Sequence, residues 1–172
     1  TEHTQPAMAA LRGTLLLLLG AASAPSPADL GTVVVAGGIT ASCHLGPGNN
    51  HSAGNIHGLT TAELYQPGAR AWRPSPIGLS ICRTLFSAAS TGPHAAFTGG
   101  ESHHSKVLAS AELWTLSAGG VVASRPLPPM SRPRMSHASA VLANGQLWAI
   151  AGQTEGSVTT ATTESLMLFA AE

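Results

Sequence analysis

The chain has 172 residues, the length of a single domain. Only 9% of them are charged, and eight basic side chains balance eight acidic ones to a formal net charge of zero. That balance leaves no electrostatic footprint for nucleic acid or an anionic membrane surface, so neither is expected as a partner.

In chain order, residues 1–7 read as a tail. From Met8 the sequence runs through Arg12 and Leu15–Leu19 to Ala22-Ser-Ala24, which has the basic residue, short apolar core and small-residue end of a signal peptide. The same stretch also reads as a strand over Thr14–Leu19, and this is the preferred reading because it also accounts for the glycine-ended run at Gly31–Gly38. Within that run Thr32–Ala36 ends at Gly37-Gly38, and further strands are predicted at Ala62–Tyr65 and Arg70–Arg73. After Arg83 the order returns: strands at Leu85–Ser90 and His94–Thr98, then Gly99-Gly100, then Ala111–Leu116 and Val121–Ser124. After Arg134 it comes a third time, with His137–Leu142, Leu147–Ala151, Gly152 and Thr163–Phe169. Nowhere is a 3.6-residue period sustained over three turns, and no run approaches the ~18 apolar residues of a membrane-spanning helix.

The spacing is regular. Arg83 to Arg134 is 51 residues, Gly99 to Gly152 is 53 and Glu112 to Glu164 is 52. A period near fifty with four short strands marks a β-propeller array. The motifs also resemble the kelch repeat. The first copy has Arg12, Gly37-Gly38, Glu63-Leu-Tyr65 and Trp72, and the second has Arg83, Gly99-Gly100 and Glu112-Leu-Trp114. The third has Met130, Arg134, His137, Trp148 and Gly152, with Gln153 read in place of the second glycine and Leu166 in place of an aromatic. The expected fold is therefore all-β, a kelch-type propeller segment of two four-stranded blades and three strands of a third. The blades are placed at 8–74, 79–124 and 130–169. Within them Arg12, Glu63, Arg83, Glu112, Arg134 and Glu164 are expected to form one Arg–Glu pair per blade. The glycines Gly37, Gly38, Gly99, Gly100 and Gly152 are expected at strand ends, and Trp72, Trp114 and Trp148 in the core. Two blades and three strands of a third fall short of the 4–8 blades that usually close a ring, so further blades or another chain are expected to cover the strand edges.

Function is less legible. The loop at 39–61 is long: Gly38 to Glu63 spans 25 positions, against 12 from Gly100 to Glu112. It holds Cys43, His44, His51 and His57, and His103 lies in the next copy's matching loop. These are metal-ligand types, but their spacing fits no zinc framework, and the preferred reading is a solvated loop with no metal and no cofactor. Cys43 and Cys82 fall on one face, where a disulfide is conceivable in an oxidising compartment. Free thiols and a cytoplasmic setting are slightly favoured over secretion, although Asn50-His51-Ser52 matches a glycosylation acceptor. No catalytic residue is assigned: Tyr65 is the only tyrosine, where kelch-type oxidases need two, and His137 is read as structural. The resemblance implies binding of a partner protein through the loop face, with His44, His51, His57, Arg73 and His103 as contacts. The alternatives are a fragment of a secreted carbohydrate-active or oxidase enzyme and a non-functional propeller remnant.

Overall fold

The computed structural model describes residues 15–18, 32–40, 57–66, 69–102, 106–117 and 120–169. Within them the chain is all-β, and the one helical element is a 3-10 turn at Glu155–Ser157. The first sheet orders its strands β1 (Leu15–Leu18), β2 (Val33–Ala36), β5 (Ala62–Gln66) and β6 (Ala71–Pro74). The second is an uninterrupted meander of β7 (Ser87–Thr91), β8 (His94–Thr98), β9 (Ala111–Ser117) and β10 (Gly120–Leu127). The third has three strands, β11 (Ala138–Val141), β12 (Gln146–Ile150) and β13 (Thr163–Met167). All pairings are antiparallel.

The expected loop at 39–61 is not wholly irregular. Ile39–Thr40 (β3) pairs with His57–Gly58 (β4) in a short ribbon. Equivalent single bridges join Glu101 to Val107 and Gln153 to Thr159 after the second strands of the other two sheets.

Side chains alternate across a strand, so a sheet stacked on both faces must be apolar at consecutive positions. That is the state of the second sheet. Ala95, Phe97, Trp114 and Leu116 face the first sheet's Val34, Ala36, Ala62 and Leu64. Ala96, Ala111 and Leu113 face Leu147 and Leu168 of the third. Within the first interface Phe97 packs against Trp114 at 4.8 Å and 56° between ring planes, a tilted arrangement that aromatic pairs favour. Each such side chain contributes about 1.5–3 kcal/mol through burial. The first strands stand side by side, β7 between β1 and β11, and the small residues Ser87-Ala-Ala-Ser90 and Ala138-Ser-Ala140 permit that approach.

Burial corrects one expectation about the tryptophans. Trp114 is fully buried, but Trp72 on β6 is 51% exposed and packs at a tilt of 44° against its cross-strand neighbour Tyr65, ring centres 5.2 Å apart. Trp148 is half-buried on the outward face of the third sheet, beside exposed Ile150.

The turn after the second strand corrects another. Gly37 (φ 67) and Gly38 (φ 106) match Gly99 (φ 58) and Gly100 (φ 94). The third pair is Ala151 (φ 58) and Gly152 (φ 102), not Gly152 and Gln153. The Gly37, Gly99 and Ala151 amides donate to Thr61, Ser110 and Thr162 carbonyls at 2.9–3.0 Å, fixing the alignment. Gly100 to Gly152 is then 52 residues, the same as Glu112 to Glu164. Glycine is needed at the first position because the next sheet presses on it: a Cβ at Gly37 would lie 2.8 Å from the Arg83 carbonyl oxygen, and one at Gly99 would collide with that of Arg134. No sheet is described after the third one, where the neighbour of Ala151 would stand.

Candidate functional site

The most elaborate polar constructions join the start of one sheet to its own third strand. Arg83, fully buried, donates from Nη1 to the Gly99 carbonyl at 2.7 Å and the Ser110 carbonyl at 3.2 Å. Its Nη2 reaches Ser110 Oγ at 3.3 Å and Glu112 Oε1 at 3.2 Å. The Glu112 carboxylate also accepts from the Ser80 amide at 3.1 Å and from the Trp114 indole at 3.2 Å. Burial pulls the Arg83 pKa below its ordinary value, and the charge of Glu112 opposes that shift.

The third sheet repeats the construction. Arg134 donates from Nη1 to the Ala151 and Thr162 carbonyls, both at 2.9 Å, and from Nη2 to Thr162 Oγ1 and Glu164. Glu164 also accepts from the Ser131 and Arg132 amides. Burial raises the Glu164 pKa, but hydrogen bonds from Ser131 and Arg134 and the Arg134 charge outweigh it, and the net shift is downward. Arg12, expected to pair with Glu63, lies outside the described residues.

A second cluster ties the second sheet to the third. His137 Nε2 lies 2.8 Å from Thr98 Oγ1, which lies 2.9 Å from Ser139 Oγ. Hydroxyl and imidazole at that distance resemble a nucleophile and its base, yet the surroundings oppose catalysis. Thr98 is 2% exposed, although it contributes to the wall of the neighbouring cleft beside β13. His137 Nδ1 has no partner among the described residues to orient the ring. Desolvation, then the nearby Arg134 charge, push the His137 pKa down to about 4, too weak a base for work near neutral pH. The cluster fastens two sheets together.

Beside β13 lies a cleft lined by Pro128, Pro129, Met130, Ala149, Glu164 and Leu166, among others. Its origin is a substitution within the repeat. Trp114 and Phe97 fill the matching space between the first two sheets, whereas Leu166 and Ala149 stand at those positions in the third.

The residues expected on the loop face are not gathered by the described structure. His44, His51 and His103 lie outside the described residues. His57 pairs with Thr40 through β4, near the glycine end of the sheets. Arg73 lies on β6 opposite Leu64, and its guanidinium is near Gly120, the first residue of β10, at the other end. Cys82 carries a free thiol, and Cys43 lies outside the described residues. Among the described residues no three His, Cys, Asp or Glu side chains converge as metal ligands, and no helix is long and apolar enough to cross a membrane. Sequence reasoning misses the cleft; its one signal there is the loss of an aromatic at Leu166, a departure from the repeat. The chain matches no family model and no curated protein.

Proposed function

We propose that the chain is a kelch-type β-propeller segment that serves as a binding module for a partner protein. One observation carries the reading: the same Arg–Glu centre is built twice, with the same carbonyl acceptors, in sheets whose first strands stand next to one another. Each centre spends its charges on holding a strand end, and His137 and Thr98 of the His–hydroxyl cluster are buried where two sheets meet. His57 lies in the connection after a second strand, at the end where the glycine turns lie, and by sequence order His44, His51 and His103 belong to the same kind of connection. Connections over a rigid scaffold are the usual carriers of recognition. No described residue favours the enzymatic alternative.

The test is affinity capture with quantitative mass spectrometry, comparing the wild type with a variant carrying His44→Ala, His51→Ala, His57→Ala and His103→Ala. The expected result is a partner enriched by the wild type and lost from the variant at unchanged melting temperature. Equal recovery on both proteins removes the loop face from the proposal.

A further inference from the structure

The third sheet differs from the others in one respect that bears on binding. Its β13 has no strand beyond it among the described residues, where β5 is followed by β6 and β9 by β10. Those two fourth strands dock in one register. Pro74 stands opposite Glu63, Arg73 opposite Leu64 and Trp72 opposite Tyr65. Pro126 stands opposite Glu112, Arg125 opposite Leu113 and Ser124 opposite Trp114. Both carry Arg-Pro at the same two positions. The matching triplet on β13 is Glu164-Ser165-Leu166.

We propose that β13 and the cleft beside it form a binding site for an extended peptide of the pattern aromatic–x–Pro, which adds as an antiparallel fourth strand. Main-chain hydrogen bonds along a free strand edge supply affinity in this mode, and pockets for alternate side chains supply selectivity. The proline stands opposite Glu164, and the aromatic side chain, opposite Leu166, points toward the second sheet and enters the cleft.

Three observations agree on that occupant. Side-chain size is shared across the third and fourth strands: the large Trp114 faces the small Ser124, and the smaller Tyr65 has Trp72 packed against it at a tilt. Leu166 is smaller again and borders an open apolar cleft, so its partner position calls for a large aromatic. Glu112, opposite Pro126, is 2% exposed, while Glu164, with no residue described beside it on the edge away from β12, is 21% exposed. Glu63 is exposed even with Pro74 opposite it, in a sheet with no other sheet described before it. A proline there covers the carboxylate and offers no N–H to leave unpaired, as proline does on edge strands. The inference rests on the sheets alone and stands whether or not the loop face binds a protein.

The probe is the capped peptide Arg-Ala-Trp-Arg-Pro-Ser, the sequence of residues 70–75, titrated into the full chain by fluorescence anisotropy and mapped by amide hydrogen exchange. Saturable one-to-one binding is expected, with new protection at Thr163–Met167. Replacing the peptide's tryptophan by alanine weakens binding at least about tenfold, the loss expected for one buried aromatic. Leu166→Trp abolishes binding by placing in the cleft the residue that the second sheet has there, and it keeps the fold for the same reason. Absence of saturable binding, protection elsewhere, or equal affinity for the alanine peptide or the Leu166→Trp protein overturns the proposal. So does protection, before peptide is added, of the β13 amides that point away from β12, since another segment of the chain then fills the edge.

Discussion

The second and third sheets hold the same Arg–Glu centre in different surroundings. In the second, the carboxylate lies under Trp114 and opposite Pro126 of a fourth strand, and the ion pair is sealed. In the third, Leu166 replaces the indole and no fourth strand is described, so Glu164 keeps contact with water while Arg134 remains fully buried. The centre therefore depends on its own turn for geometry and on its neighbours for dryness. The guanidinium's carbonyl acceptors recur unchanged; what varies is what covers the carboxylate.

Removing each carboxylate separates those contributions. Glu112→Ala leaves a buried guanidinium uncompensated and orphans the Ser80 amide and the Trp114 indole, an expected loss of about 3–5 kcal/mol by urea denaturation. A loss under about 1 kcal/mol would show that the pair contributes little. The tie between the two sheets comes next. His137 titrates at about 4 when folded, against 6.5 for the free side chain, so the unfolded chain binds more protons between those values. Stability is then complete above about pH 7 and falls by up to about 3 kcal/mol as pH drops through that window. His137→Gln is expected to flatten the pH profile there; an unchanged slope assigns the acid sensitivity elsewhere. The lowered pKa of Glu164 adds a loss of the same sign, but at more acid pH. Glu164→Ala itself is expected to cost about 1–3 kcal/mol, less than its counterpart, because water reaches the Arg134 side chain's open partner position. Equal losses at the two sites would mean that coverage of the carboxylate is immaterial.

Much of this arrangement is legible in the sequence, for a physical reason. Period-two patterns and short apolar runs locate the strands within a few residues, and His94–Thr98 coincides with its strand. Arginine and glutamate recurring in so charge-poor a chain point to paired burial. The third glycine position is displaced by one residue because a glycine doublet is the visible signal, whereas the turn requires only a positive φ, which alanine can adopt at a cost. Trp72 is misplaced because sequence gives residue type but not which face of an edge strand has a neighbouring sheet. The cleft is hidden for a related cause, since a cavity is the absence of side-chain volume contributed by several segments at once. The loop histidines are conspicuous by composition, and composition carries no geometry.

The smallest expected effect concerns that alanine. A left-handed backbone costs an L-residue about 1–2 kcal/mol, and glycine returns roughly half of the relief as lost unfolded-state freedom. Ala151→Gly is therefore expected to stabilise the chain by about 0.5–1 kcal/mol, seen as a higher urea midpoint at unchanged slope. Gly99→Ala is expected to act in the opposite direction and more strongly, because its Cβ would meet the Arg134 carbonyl oxygen as well as the unfavourable φ. If Ala151→Gly instead leaves stability unchanged while Gly99→Ala destabilises, then the demand for glycine comes from the sheet packed on the turn. The backbone angle would then be secondary, and Ala151 would persist because no sheet presses on it.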